Sequence, residues 1–150
     1  MKNEQQADDD LAESAHLVEW SAFSTQIREL RQEAFVVENG FAAPFINDDQ
    51  DPRLFHLCVL ANSQVVASLR FSRDGHVERF AIAPRYRNGA VLRALGRGLE
   101  CEAKRLGIPR LWGYVQEKNM MIFERFGAQR TGRHCMVGGF DHVEMEKLLA

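Results

Sequence analysis

Two short segments of this chain carry residue types that could do chemistry. In "GHVERFAIAP", two-residue alternation along a strand would put His76, Glu78, Phe80 and Ile82 on one face. An imidazole exchanges protons directly near neutrality, whereas a carboxylate needs a raised pKa or a bridging water. Shortly after, "PRYRNGAVLRAL" runs Arg85, Arg87 and Asn88-Gly89 straight into a helix pattern. A helix start carries about half a positive charge and unpaired N–H groups, and a glycine there lets phosphate approach the backbone. The two arginines would add charge-assisted contacts. Plainer readings stand beside these. The Asn-Gly can be a turn with a solvated rim, His76 a turn residue after "RDG", and Glu78 the partner of Arg70 on a neighbouring strand.

The elements that would position these residues can be read from periodicity. "HLVEWSAF" suits a first strand, and Ser24 is placed to cap a helix with Ile27, Leu30, Ala34 and Val37 on one stripe. "ENGFAAPFINDDQDP" has loop chemistry, and a loop of that length is often functional. "LFHLCVLA", a turn at Asn62-Ser63, and "QVVASLRFS" predict a hairpin, with "HVERFAIA" as a third arm. The helix after Asn88-Gly89 would turn Val91, Leu95, Leu99 and Leu106 inward, pair Glu100 with Lys104 outside, and end at Gly107. "RLWGYVQ" then reads as a strand, "KNMMIFERF" as a short helix closed by Gly127, and "HCMVGGFDHVEMEKLL" as a final strand pair. This mixture predicts an α/β (α+β) fold with helices packed on a sheet.

Composition sets bounds. The 150 residues suit one domain, with the acidic lead 1–14 as a disordered tail and 15–150 as the folded unit. That lead carries five acidic residues against one Lys, leaving the remainder near plus two, which argues against a dedicated nucleic-acid binder. No apolar run reaches membrane-span length, so no membrane partner and a cytoplasmic location are expected. Cys58, Cys101 and Cys135 lack metal or redox spacing and are expected to pack as core. His134, Cys135 and His142 show no zinc pattern, so no metal is expected. Gly96 and Gly98 inside a helix read as close packing, and Met120 and Met121 as core.

The order strand, "PRYR", loop, helix, "LGIPRLW" and "FERFGA" resembles the GNAT acyltransferase superfamily over roughly residues 24 to 146. That resemblance implies a central, mostly antiparallel twisted sheet with helices on both faces. It also implies acetyl-CoA or another acyl-CoA as co-substrate, and transfer of the acyl group to a primary amine by direct attack. The family's pyrophosphate loop falls on Arg87, Asn88, Gly89, Ala90, Val91 and Leu92, with Ala90 and Leu92 standing where the family has glycine or another small residue. By the same likeness Glu78 or His76 is the base, with Glu78 slightly favoured. A backbone N–H near Ala81 or Ile82, following Phe80, would polarise the thioester, and Gln116 and Asn119 would contact the pantetheine arm. Phe123 takes the place of a tyrosine that would protonate the leaving thiolate.

A sub-branch, the acyl-homoserine-lactone and N-acyl amino acid synthases, is also similar. "ERFAI" is like its strand motif, with Arg79 and Phe80 matching. "LRQEAF" supplies Arg31 and Phe35, Phe41 is the matching aromatic six residues on, and the acidic loop holds Asp48, Asp49 and Asp51. That likeness implies an acyl carrier protein as donor, docking on Arg85, Arg87, Arg93 or Arg97, while His76 departs from the motif. Leu92 and Phe123 keep a third reading open, an acyl-CoA-binding regulatory module without turnover. A small-molecule amine is the expected acceptor, and a homodimer is allowed.

Overall fold

Asn62 and Ser63 both adopt positive φ, 51° and 65°, the backbone of a tight hairpin turn. They join β2 (Phe55–Ala61) to β3 (Gln64–Phe71), the centre of a four-stranded antiparallel sheet ordered β1-β2-β3-β4. β1 (Ala15–Val18) and β4 (Val77–Ile82) are its edges. A second antiparallel sheet is ordered β5-β7-β6, from β5 (Arg110–Val115), β6 (Gln129–Val137) and β7 (Phe140–Leu148). The computed structural model describes residues 14–38, 40–41 and 47–149. The acidic lead, apart from the exposed Ser14, and most of loop 39–46 lie outside the described residues.

Helices cover both faces of the first sheet. On one side α2 (Gly89–Arg105) buries Val91 and Leu95 completely against Leu57, Leu69 and Phe71, with Leu99 and Leu106 partly buried at the margin. The helix can lie this close because Gly98 faces Ala15, where an added methyl would come within 2.9 Å of its Cβ. Gly96 meets the Phe126 ring in the same way. Glu100 pairs with Lys104 at 3.1 Å, and Gly107 closes the helix at φ +75°. On the other side α1 (Trp20–Arg31) buries Ile27 and Leu30 against Cys58, Val65 and Ala81. The short α3 (Met120–Glu124) packs Met120 on Val143 and Met145 of the second sheet.

Several expectations are corrected. Helix α1 begins at Trp20, its first turn bonding Ala22 and Phe23 N–H to the Glu19 carbonyl, so Ser24 lies inside it. After Arg31 the backbone widens into a π-helical stretch, Gln32–Val37. The extra residue in that turn rotates the apolar stripe, so Ala34 stays buried while Val37 is 73% exposed. Met121 is likewise exposed, 67%, because α3 is too short to bury both methionines. Cys58 alone of the cysteines is core, its thiol pushed up to about 11 by burial; Cys101 faces solvent from α2 and Cys135 is half-buried.

The two sheets part along β4 and β5, and this break shapes the site. β4 and β5 touch only at their starts, where His76 bridges Trp112 in parallel and Trp112 N–H bonds the Gly75 carbonyl at 2.9 Å. Gly113 is needed there, since a methyl at its position would stand 2.6 Å from the Val77 carbonyl oxygen. Beyond that contact the two strands are not paired, which leaves one edge of β4 open.

Candidate active site

A cleft of about 790 Å³ lies between β4 and β5, walled by Phe80, Leu92, Val115, Phe123 and Phe126. Its strand wall is bent. Between the pairs Arg70–Glu78 and Ser68–Ala81, β3 contributes one residue and β4 contributes two, Arg79 and Phe80. This is a β-bulge, and Arg79 takes φ +55° within it. The expected alternation therefore fails: Phe80 and Ile82 pack on the α2 side, whereas Glu78 turns to Arg70 on the α1 side. Ala81, buried at 2%, packs against the α1 cluster.

The bulge also decides which amides face the cleft. Ala83 N–H bonds the Val66 carbonyl at 2.8 Å, so by two-residue alternation Ala81 N–H also points to β3. Ile82 N–H then points the other way, into the opening.

At the helix start, Asn88 accepts Val91 N–H on its side-chain oxygen at 3.0 Å, and Leu92 N–H makes the first helical bond to the Asn88 carbonyl at 3.2 Å. Arg87 and Asn88 N–H are taken by Pro84 and Tyr86 carbonyls. Gly89 and Ala90 are left as the amides of this turn for which the helix supplies no acceptor. The six-residue anion cradle read from sequence thus shrinks to two amides, because Asn88 caps its own helix. Val91 points into the core, and Leu92 is half-buried at the cleft wall, where its side chain packs on the core. Arg93 folds back until its guanidinium would meet a methyl placed on Gly89 at 2.8 Å.

Arg87 is held in place. Its Nη1 and Nη2 donate to both Glu38 oxygens at 2.6 and 2.5 Å, and its Nε donates to the Ile82 carbonyl at 3.0 Å. The pairing holds the Glu38 carboxyl below its ordinary range and pushes the Arg87 guanidinium up.

His76 is no solvated turn residue. Its ring stacks on Trp112, centroids 4.0 Å apart and 4° from parallel, with Tyr114 edge-on at 5.9 Å. Burial lowers its pKa, opposed by the charges of Glu78 and Asp74. Glu78 stands 3.8 Å from His76 Nδ1, but its Oε2 accepts Arg70 Nε at 2.9 Å and Nη2 at 2.8 Å. The Arg70 pairing, one of the plainer readings, is thus present. Arg70 itself enters a buried network with Asp48 at 2.7 Å and Asp51 at 2.9 Å, and Asp51 binds Arg31 through two bonds. Gln116 and Asn119 flank the cleft just beyond β5, and Phe123 meets Phe80 edge-on at 5.4 Å.

Sequence reading missed Trp112, Tyr114 and Glu38. The first two carried a signal, an aromatic alternation around Gly113 in "RLWGYV". Glu38 carried none, since its partner is 49 residues away. Among the described residues no group of His, Cys, Asp or Glu is placed to hold a metal, and no helix is long and apolar enough to cross a membrane.

The solved structures similar to this one share its fold. Escherichia coli ElaA matches with TM-score 0.73 and 19% identity, over 89% of this chain and 99% of its own. An acyl-CoA N-acyltransferase from Pseudomonas aeruginosa gives the same four values. FeeM, an N-acyl amino acid synthase from uncultured soil microbes, matches with TM-score 0.73 and 13% identity, over 90% and 89%. None of the curated proteins matches. The family model of the acetyltransferase (GNAT) domain matches residues 27–149, so a split sheet, a bulged β4 and a helix opening on Asn88-Gly89 belong here to a GNAT acyltransferase.

Proposed function

We propose that this protein moves an acyl group from a thioester, with acyl-CoA as the first choice of carrier, to a small-molecule primary amine by direct attack. The observation that carries this reading is the β4–β5 cleft, which runs from Arg87 and Leu92 at the start of α2 to the His76 ring. The pyrophosphate would rest on the Gly89 and Ala90 amides beside Arg93, and the pantetheine arm would pass Gln116 and Asn119. Ile82 N–H would polarise the thioester carbonyl. The amine nitrogen attacks that carbon, its proton passes to His76, and the C–S bond breaks. Phe123 has no proton to give, so sulfur leaves as thiolate, which a thiol of pKa about 8.5 does readily. Glu78, clamped by Arg70, would orient His76 rather than take the proton itself.

Because a ligand of the native state stabilises it, acetyl-CoA at a hundred times its Kd is expected to raise Tm by about 5 to 10 °C. No shift with acetyl-CoA or any longer acyl-CoA would overturn the reading. Glu38 occupies Arg87 in the manner of an anion, and an incoming phosphate must compete with it. Glu38→Gln is therefore expected to tighten CoA binding about two- to fivefold, the worth of a partly exposed ion pair, in a calorimetric titration.

The apolar walls favour a second reading, an acyl chain longer than acetyl, delivered by acyl-CoA or by an acyl carrier protein. Arg85, Arg93 and Arg97 are exposed along the start of α2 and would meet an acidic carrier. Charge reversal at Arg85 and Arg97, which the CoA path does not use, should abolish transfer from the carrier protein while sparing transfer from the matched acyl-CoA.

A further inference from the structure

The outer face of the second sheet holds a concavity of about 640 Å³, lined by Arg110, Trp112, Tyr114, Arg130, Arg133 and Glu144. Its floor has an unmet need. The Glu144 side chain is only 5% exposed, and its Oε1 accepts Arg110 Nη2 at 3.0 Å. Its Oε2 is buried with no hydrogen-bond partner. Arg133 approaches that oxygen to 3.8 Å, beyond hydrogen-bond reach, from a side chain 81% exposed. A carboxylate oxygen buried without a donor is costly, so the site calls for an N–H or O–H from elsewhere.

Strand geometry makes the opening. Between the pairs Arg130–Met145 and His134–Val143, β6 carries three residues, Thr131, Gly132 and Arg133, against Glu144 alone. Gly132 takes φ +93°, and β6 bows away from the oxygen that a regular strand would cover.

The donor that fits is a cation. Arg110 is already bound by both Glu144 and Glu146, and Arg130 lies 3.8 Å from Glu117, so among the described residues the second carboxylate charge at the floor is balanced only by Arg133 at the rim. Trp112 and Tyr114 stand edge to face beside it, centroids 5.9 Å apart; Trp112 is already stacked on His76 and has the Arg110 guanidinium over its ring at 5.6 Å, so the aromatic surface for an ammonium's methylenes is that of Tyr114. Arg133 at the rim then acts as a movable stand-in. The same Trp112 stacks on His76, and Tyr114 is paired across to Glu144, two strands from β4. Two inter-strand spacings separate the His76 and Glu144 strands, roughly 10 Å.

We propose that this concavity is the anchoring half of the acceptor site and holds a second ammonium group, so that the acceptor is an aliphatic diamine or a longer polyamine. One nitrogen, neutral, would attack beside His76 while the other, protonated, is held at Glu144. This rests on the acyl-transfer reading above, and its test does not need turnover. Isothermal titration of the full chain, with no thioester present, compares α,ω-diaminoalkanes of increasing length with matched n-alkylamines. The best diamine is expected to bind about tenfold more tightly than its monoamine, the worth of one charge-assisted hydrogen bond. Glu144→Gln should erase that gap, and Arg133→Ala, a change at an exposed side chain, should widen it. Equal affinities, or a gap that survives Glu144→Gln, overturn the proposal. A Tm rise with acyl-CoA and no diamine preference would sink this inference alone; diamine binding with no response to any acyl-CoA would sink the transfer reading instead.

Discussion

Replacing Arg70 by methionine is expected to cost about 3 to 5 kcal/mol of stability, the usual penalty for leaving buried charge without its partner. For a chain of this size that lowers Tm by about 6 to 20 °C. Arg70 is 2% exposed and bonds Asp48 and Asp51 of one loop to Glu78 of β4. Methionine fills similar volume, so the loss is electrostatic rather than a cavity. Asp51 keeps Arg31, at 2.9 and 3.1 Å, while Asp48 and Glu78 lose their strongest partner. A pH series separates this cause from simple misfit. Hydrogen bonds from Arg70 hold Asp48 down at about 2, below its ordinary 3.8. A depressed carboxylate contributes stability above its unfolded pKa and loses it as pH falls through the folded one. The gap between wild type and variant should therefore be full near neutrality and narrow as pH drops from about 4 towards 2. A gap that stays constant over that range would mean that packing, not charge, was lost.

What the sequence made legible was local. The Asn62-Ser63 hairpin, the α2 stripe with its Gly107 stop, and the order of strands followed from turn chemistry and periodicity. The bulge at Arg79 and Phe80 did not, because one inserted residue leaves no compositional mark yet turns every later side chain to the other face. The widened turn at Gln32–Val37 hid Val37 in the same way, since the pattern counts 3.6 residues per turn. The candidate site was half readable. His76 and the Asn88-Gly89 helix start could be named, because proton exchange and anion binding depend on residue type. How many amides stay open, and which cation Glu38 or Glu78 occupies, depends on contacts across long separations that periodicity does not encode. The same limit concealed Glu144, whose unpartnered oxygen exists only because β6 bulges opposite it.

His76→Ala is expected to lower kcat/KM by about 10² to 10⁴, the usual contribution of a positioned general base. A stacked imidazole at the cleft wall is held in one orientation by the Trp112 ring, so no side chain has to be ordered before it acts. Burial lowers its pKa, and only the neutral ring can accept a proton. The limb of the kcat/KM profile that belongs to His76 should therefore fall at a pH below 6.5, apart from the rise at higher pH as the amine acceptor loses its proton. His76→Ala should remove that limb along with most of the rate. Glu78→Gln provides the contrast. If Glu78 only orients the ring, its loss should lower kcat less than the loss of His76 and leave the limb in place, moved further to acid because a charge favouring imidazolium is gone. A limb that disappears in Glu78→Gln but persists in His76→Ala would transfer the proton-accepting role to the carboxylate, and Arg70 would then have to release it during turnover.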